Sequence, residues 1–239
     1  MENRSFGGFL ALGALLCAGL VALGWQISRG IVRVRALDRT VTVKGLSERE
    51  VPADVAIWPI KFSEADNDLN RLFSAIQAKN TAVTEFLKQG GFKEEEISVS
   101  VPAIVDHQAQ GYSPENARQF RYSGTSTLTV YSLNVEQVRA TMRNLVDLGK
   151  RGIAIAGEDY GSRTEFLFTH LNDLKPAMIE EATRNAREVA VKFAQDSSSV
   201  LGKIRTASQG QFSIEDRDSN TPHIKKVRVV STVEYYLSD

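Results

Sequence analysis

Residues 179–194 read IEEATRNAREVAVKFA, with alanine at 182, 186, 190 and 194 and with Ile179, Val189 and Phe193 beside them. A four-residue recurrence is helical. It lays a narrow stripe of small side chains along one face, so the helix can lie close to whatever it packs on, most simply a β-sheet. The helix is expected to open at Asn172 or Asp173 and to run to about Gly202. A ligand groove floored by alanines is the alternative use of such a stripe, against the default that apolar helix faces are core.

Strand patterns surround this helix. After it, Ile204 to Ile214 and Val227 to Leu237 read as a closing antiparallel pair, separated by a polar turn region from Asp216 to His223. Before it, Ile153 to Thr169 is expected to hold a strand, and Val135 to Leu148 a helix capped by Asn134 and stopped near Gly149 or Gly152. Phe120 to Tyr131 alternates, with Tyr122, Thr127, Thr129 and Tyr131 supplying strand propensity. Gln108 to Gln119 is a polar loop, and Ile97 to Val105 a further strand.

Asp66 or Asn67 can cap a second long helix, whose face is Leu69, Leu72, Phe73, Ile76, Asn80, Val83, Phe86 and Leu87 and whose stop is Gly90-Gly91. In the strand Asp54 to Ser63, Val55, Ile57 and Pro59 share one face and Ala56, Trp58, Ile60 and Phe62 the other. Pro59 lacks an amide donor, which places it at a bulge or an edge. The first strand begins at Thr40, with Val41, Val43 and then Val51 across the turn-prone Gly45-Leu46-Ser47. The order β-β-α-β-β-α-β-α-β-β predicts an α+β fold with helices packed on mainly antiparallel sheets. Two lobes resembling split βαβ units fit it, one holding the helix after Asn67 and one the alanine-rich helix.

Phe6 to Ile27 (FGGFLALGALLCAGLVALGWQI) runs without a charge. As a helix it would reach about 33 Å, enough for a hydrocarbon core of about 30 Å. Its apolar residues go all round, unlike an amphipathic core helix. A cleaved signal peptide has a shorter apolar stretch. Ala22-Leu23-Gly24 could serve as a cleavage site, but Trp25 and Ile27 continue the run, so an uncleaved signal anchor over residues 1–30 is the expectation. Residues 31–39 are a basic linker and 40–239 the body. Arg29, Arg33 and Arg35 follow the run and Arg4 precedes it, a balance that by itself favours a cytoplasmic body. Cys17 does not sit in a lipoprotein context, because the large Leu16 precedes it.

The chain carries 29 basic and 29 acidic residues, which leaves no electrostatic footprint for nucleic acid. Cys17 is the single cysteine, so the body can form no disulfide and offers no thiol chemistry. No phosphate loop or dinucleotide fingerprint is present. His107, His170 and His223 fall in or beside loops, without a spacing that puts two metal ligands on one helix face. Asp106 and His107 are adjacent, so on a strand they point to opposite faces. Glu94-Glu95-Glu96 reads as a solvated turn, Glu180-Glu181 as charge favoured at a helix start, and Lys225-Lys226 with Arg228 as edge protection. Met142 and Met178 lie on helices and are expected in the core. These residues assemble no nucleophile, base and orienter. The residue-level expectation is therefore no catalytic, cofactor-binding or metal residues, no cofactor, and a non-enzymatic protein.

Thr40-Val-Thr-Val-Lys-Gly45, Val51-Pro-Ala-Asp-Val-Ala56, a long helix stopped by Gly-Gly before Glu95-Glu-Ile-Ser-Val, and then Glu181-Ala-Thr-Arg-Asn-Ala-Arg-Glu-Val-Ala190 with Leu201-Gly202 follow in order. In this the chain resembles the SIMPL domain family (DUF541) of bacterial exported proteins, over about residues 40 to 237. The resemblance implies an α+β domain, periplasmic or surface-associated, linked to oxidative-stress defence and to immunogenic envelope proteins. Some relatives are similar to ring- or channel-like homo-oligomers. The resemblance carries no catalytic residues. The common Pro-Asp-x-Ala pattern is interrupted here by Ala53.

The expected protein is thus a single-pass inner-membrane protein anchored through residues 6–27. Its periplasmic body would form homo-oligomers that support envelope and oxidative-stress defence, with no nucleic acid as partner. Strand edges at Phe120 to Tyr131 or Val227 to Leu237, or the Gln108 to Gln119 loop, are the expected contact surfaces. The alternative is a periplasmic binding module for a small molecule or peptide, with Trp58, Tyr112, Tyr122 and Tyr160 at its mouth.

Overall fold

A computed structural model describes residues 13–29, 39–109, 120–157 and 163–238. Residues 13–29 form helix α1, in which every residue is exposed. Among the described residues no helix is long and apolar enough to cross a membrane. The first part of the Phe6 to Ile27 run, and the linker expected at 31–39 apart from Arg39, lie outside the described residues, as do Tyr112 and Tyr160.

The body runs β1 (Thr40–Pro52), β2 (Val55–Asp66), α2 (Leu69–Gln89), a 3-10 turn (Glu94–Glu96), β3 (Ile97–Val99), β4 (Ala103–Asp106) and β5 (Tyr122–Ser132). It continues with α3 (Val135–Arg143), α4 (Val146–Lys150), β6 (Glu165–Leu167), α5 (Leu171–Asp196), β7 (Val200–Gln209), β8 (Ser213–Asp216) and β9 (Ile224–Ser238). One sheet has the order β1-β9-β7 with β8 also on β9; the other has the order β3-β5-β2-β6 with β4 also on β5. The pairings β2–β5, β2–β6, β3–β5, β4–β5 and β7–β9 are all antiparallel. The α+β class with antiparallel sheets is as the sequence predicts.

The chain divides into two compact units, one of Met1–Glu48, Leu174–Ser213 and Arg228–Asp239, the other of Arg49–Asp173 and Ile214–Val227. In the first, Ala182, Ala186, Ala190 and Ala194 of α5 are all buried. Ala186 and Ala190 pack with Val43, Val233 and Tyr235. The stripe is core, as its default reading holds. Gly45 is no turn, because β1 runs straight through it. It is a point of contact: a Cβ there would stand 1.8 Å from the Ala182 carbonyl oxygen and 2.5 Å from the Ala186 amide nitrogen. The helix seats on the strand only because both sides are small at this crossing.

The second unit is built on β2. Ala56, Trp58, Ile60 and Phe62 are buried, and with Leu72, Ile76, Val83, Phe86 and Leu87 of α2 and Leu128 and Val130 of β5 they form the larger core. Leu69 and Phe73, expected on that face, are instead 39% and 44% exposed. Asp68, one residue beyond the expected caps, accepts from the Arg71 amide and starts α2. Asp66 braces the same turn by accepting from the Asp68 amide. Gly91, with φ of 89°, ends it. Pro59 lies opposite Thr129 of β5, while the β6 register stops at Ile57, so no β6 residue needs the missing donor.

Several expected elements are divided. The strand expected over Ile97 to Val105 is split into β3 and β4 about Ser100-Val101-Pro102. Pro102 has no N–H to give a ladder, which accounts for the break. The expected Val135 to Leu148 helix is α3 and α4, and the strand expected within Ile153 to Thr169 is only β6, with an isolated bridge from Ile155 to Phe62. The strand expected over Ile204 to Ile214 is β7 and β8. A Cβ at the intervening Gly210 would be 2.9 Å from the Val230 carbonyl oxygen. α5 spans Leu171–Asp196, ending before the expected Gly202.

Two expected edges are interior: β5 is flanked by β2 and by β3 with β4, and β9 by β1 and β7. One edge of the first sheet is β7, where every residue except Leu201 is exposed. Ile204 and Ala207 pair with the buried Tyr235 and Val233 and so share their face of the sheet. Ile204 is nevertheless 48% exposed. The helix layer therefore covers β9 and leaves β7 open on that face.

Candidate functional site

The turn between β8 and β9 is held by one carboxylate. Asp218 accepts from the amides of Asn220 and Thr221, each at 2.8 Å, from the Thr221 hydroxyl, and from Arg217 Nε at 3.1 Å. This self-capped geometry is what Asp supplies in turns. The hydrogen bonds, led by that from the Thr221 hydroxyl, push the Asp218 pKa down to about 2. The Arg217 amide donates to the Ile224 carbonyl at 2.9 Å and closes the loop. The turn presents Asn220, Pro222 and His223. The Ala53 amide donates to the His223 carbonyl at 2.8 Å, which ties His223 to the segment between β1 and β2. Ala53, the residue that interrupts the expected Pro-Asp-x-Ala pattern, thereby makes this tie through its backbone.

Against the turn stands α3. Asn134 caps it by accepting from the Gln137 amide at 3.1 Å, and Val135, Val138 and Thr141 are buried. That burial leaves Arg139, Met142 and Arg143, at i, i+3 and i+4, on another face. Phe166 enters from β6. Together these residues line a cleft of about 260 Å³ with Asn220, Pro222 and His223. On the other side of His223 a second cleft, also about 260 Å³, is lined by Pro52, Ala53, Leu133, Asn134, Val135 and Glu136. The His223 ring meets Phe166 edge-on, with centroids 6.1 Å apart at 70°.

Burial lowers the His223 pKa below the usual imidazole value, and the positive charge of Arg139 adds to the effect. Arg217 acts in the same sense, while Glu136 and Asp218 oppose it. The imidazole is neutral at pH 7. Arg139 is paired with Glu136 at 2.6 Å. Among the described residues Arg143 has no carboxylate partner and is exposed.

A second cluster lies at the start of α5. The Asp54 carboxylate accepts from the Thr169 amide at 2.9 Å, the Thr169 hydroxyl at 3.2 Å, the His170 amide at 3.2 Å and His170 Nδ1 at 2.5 Å. Backbone donors ahead of a helix are natural partners for a carboxylate. Partial burial by itself raises the Asp54 pKa, but the His170 and Thr169 hydrogen bonds outweigh it and the carboxyl titrates below its ordinary value. The Asp54 hydrogen bond and charge raise the His170 pKa. With every carboxylate contact directed at chain ahead of α5, the cluster is a structural clasp.

The other singled-out residues are dispersed. The Asp106 carboxylate pairs with Arg121 at 3.0 Å, whereas His107 Nε2 is 2.8 Å from the Ser123 hydroxyl and the His107 amide donates to the Arg121 carbonyl at 2.9 Å. Glu96 accepts from the Ser132 hydroxyl at 2.6 Å and from the Lys93 amide, and Glu181 from the Ser47 hydroxyl at 3.0 Å. Lys225 is buried and paired with Asp216 on a strand flanked on both sides, so it is not edge protection. Met178 is buried in the core, and Met142, partly buried, packs against the larger core and also lines the cleft. Trp58 is buried and Tyr122 packs against the core, so neither forms a mouth. Among the described residues no three His, Cys, Asp or Glu side chains are placed to hold a metal ion.

Sequence reasoning did not assemble the cleft. The one available signal was Arg139-Met142-Arg143, cationic and apolar on a single helix face. Comparison with known families then decides the relationship of the chain. The SIMPL family, described as a protein of unknown function (DUF541), matches residues 41–235. The chain belongs to the SIMPL family. No curated protein matches it. The SIMPL match takes in both units, the Asp54 clasp, and all the residues of the His223 cleft.

Proposed function

We propose that this SIMPL protein is a non-enzymatic, membrane-anchored periplasmic protein whose body assembles into a ring- or channel-like homo-oligomer that supports envelope and oxidative-stress defence. The observation that carries the reading is β7, an edge strand that among the described residues is open on its free edge and on the face it shares with buried Tyr235 and Val233. A two-layer unit with an uncovered strand gains by burying it, and a second copy supplies a matching surface. Val189 and Phe193, one turn apart on α5, are 38% and 54% exposed and add apolar area. The uncharged Phe6 to Ile27 run and the exposure of every residue of α1 support the anchor. The periplasmic side follows the family resemblance rather than the arginine balance.

Cryo-electron microscopy of the full-length protein extracted from membranes, combined with protease accessibility in spheroplasts, tests this reading. Closed rings with their N-terminal helices gathered on one side and an externally cleaved body are the expected result. Monomeric particles, or a body protected until the membrane is lysed, would contradict it. A second reading, a periplasmic binding module for a small molecule, is favoured by the cleft beside His223.

A further inference from the structure

We propose that the cleft between α3 and the β8–β9 turn binds a small organic carboxylate with an apolar body, such as an arylacetic acid. This rests on the binding-module reading and is independent of assembly. The recognition element is Arg143, which lines the cleft and among the described residues has no carboxylate partner. A planar guanidinium pairs with a carboxylate through two parallel hydrogen bonds.

The charge count selects a monoanion. Arg139 and Arg143 contribute two positive charges, Glu136 removes one through its 2.6 Å bond to Arg139, and one positive charge is left on the α3 face. The negative charge of Asp218, which is felt at His223, disfavours a dianion. The remaining wall favours an apolar body: Phe166, Met142 and Pro222 line it, and neutral His223 places its ring edge-on to Phe166. Asn220 supplies an amide for a second polar contact. A volume of about 260 Å³ is near the lower limit of ligand sites and suits an acid of about ten non-hydrogen atoms.

The chain has only three histidines, so His223 is a resolvable reporter inside the cleft, with His107 and His170 as references outside it. Full-length protein in detergent, labelled at histidine, is titrated with phenylacetate and separately with neutral phenylacetamide while imidazole resonances are followed by NMR. Phenylacetate is expected to shift His223 saturably, with His107 and His170 unmoved. Phenylacetamide should bind about tenfold more weakly or worse, and Arg143→Gln should weaken phenylacetate by a similar factor. Arg143→Lys should recover part of the loss, and Arg187→Gln, on exposed α5 surface, should change nothing. Unmoved His107 and His170 signals in each variant confirm its fold.

Equal binding of acid and amide, or indifference to Arg143→Gln, would overturn the carboxylate assignment while leaving a neutral-ligand site. No shift of His223 by either probe up to about 20 mM, an affinity weaker than about −2.3 kcal/mol, would overturn both the assignment and the binding-module reading.

Discussion

Gly45 of β1 and Ala182 of α5 meet so closely that a Cβ on the glycine would stand 1.8 Å from the alanine carbonyl oxygen. The alanine stripe and this glycine are therefore two sides of one contact between helix and strand. The atoms in the way are backbone, which cannot swing aside as a side-chain end can.

Gly45→Ala should accordingly destabilise the protein by about 2 kcal/mol or more, because overpacked contacts shift backbone. Ala186→Gly in the same chain should not rescue it, since the Ala182 carbonyl and Ala186 amide remain. Urea unfolding of the single and double variants checks both statements. A loss below about 0.5 kcal/mol, the range of ordinary surface changes, would show that the helix can move off the strand.

The Asp54–His170 clasp should leave a pH signature of definite sign. Asp54 has a lowered folded pKa, so its contribution is present above its ordinary 3.8 and is lost as pH falls through the folded value. His170 has a raised folded pKa, so its charge-dependent contribution is full below 6.5 and is lost as pH rises through the folded value. The Tm difference between the wild type and Asp54→Asn should be largest between pH 3.8 and 6.5 and shrink on either side. A difference flat from pH 3 to pH 9 would deny the coupling. NMR titration should find the His170 pKa above 6.5, falling in Asp54→Asn.

The β8–β9 turn should prove to be controlled by Asp218. Its carboxyl should titrate at about 2, and Asp218→Asn should loosen Asn220 to His223, seen as faster amide exchange over that turn. His223 should titrate below 6.5 in the free protein, because burial and Arg139 disfavour its charge. His223 feels Arg139 and Arg217 on the cationic side and Glu136 and Asp218 on the acidic side, and a carboxylate bound at Arg143 should raise its value. A His223 pKa at or above 6.5 in the free protein would contradict this electrostatic account.

How much of this was legible follows from which signals are local. The β2 face of Ala56, Trp58, Ile60 and Phe62 and the α5 stripe are periodic within one element, and both are buried as that periodicity predicts. Gly45 reads as turn-prone because Gly-Leu-Ser is turn-like locally, whereas the clearance it provides belongs to a helix some 140 residues away. Exposed edges were placed at β5 and β9, since alternation identifies a strand but not its neighbours. The His223 cleft combines α3, a three-residue strand and a turn, each too short to announce its partner.

The central claim is that β7 is covered by another copy, and the most direct measurement is the particle mass of full-length protein, wild type and Ile204→Lys, by light scattering in detergent. Ile204 is 48% exposed, so the substitution should leave monomer stability within about 0.5 kcal/mol. The account predicts a closed multimer for the wild type and a shift to monomers for Ile204→Lys that keep the wild-type circular dichroism spectrum, with a lower Tm because the association no longer stabilises the folded body. A wild type that is monomeric at high concentration, or an Ile204→Lys protein with an unchanged multimeric mass, would contradict it.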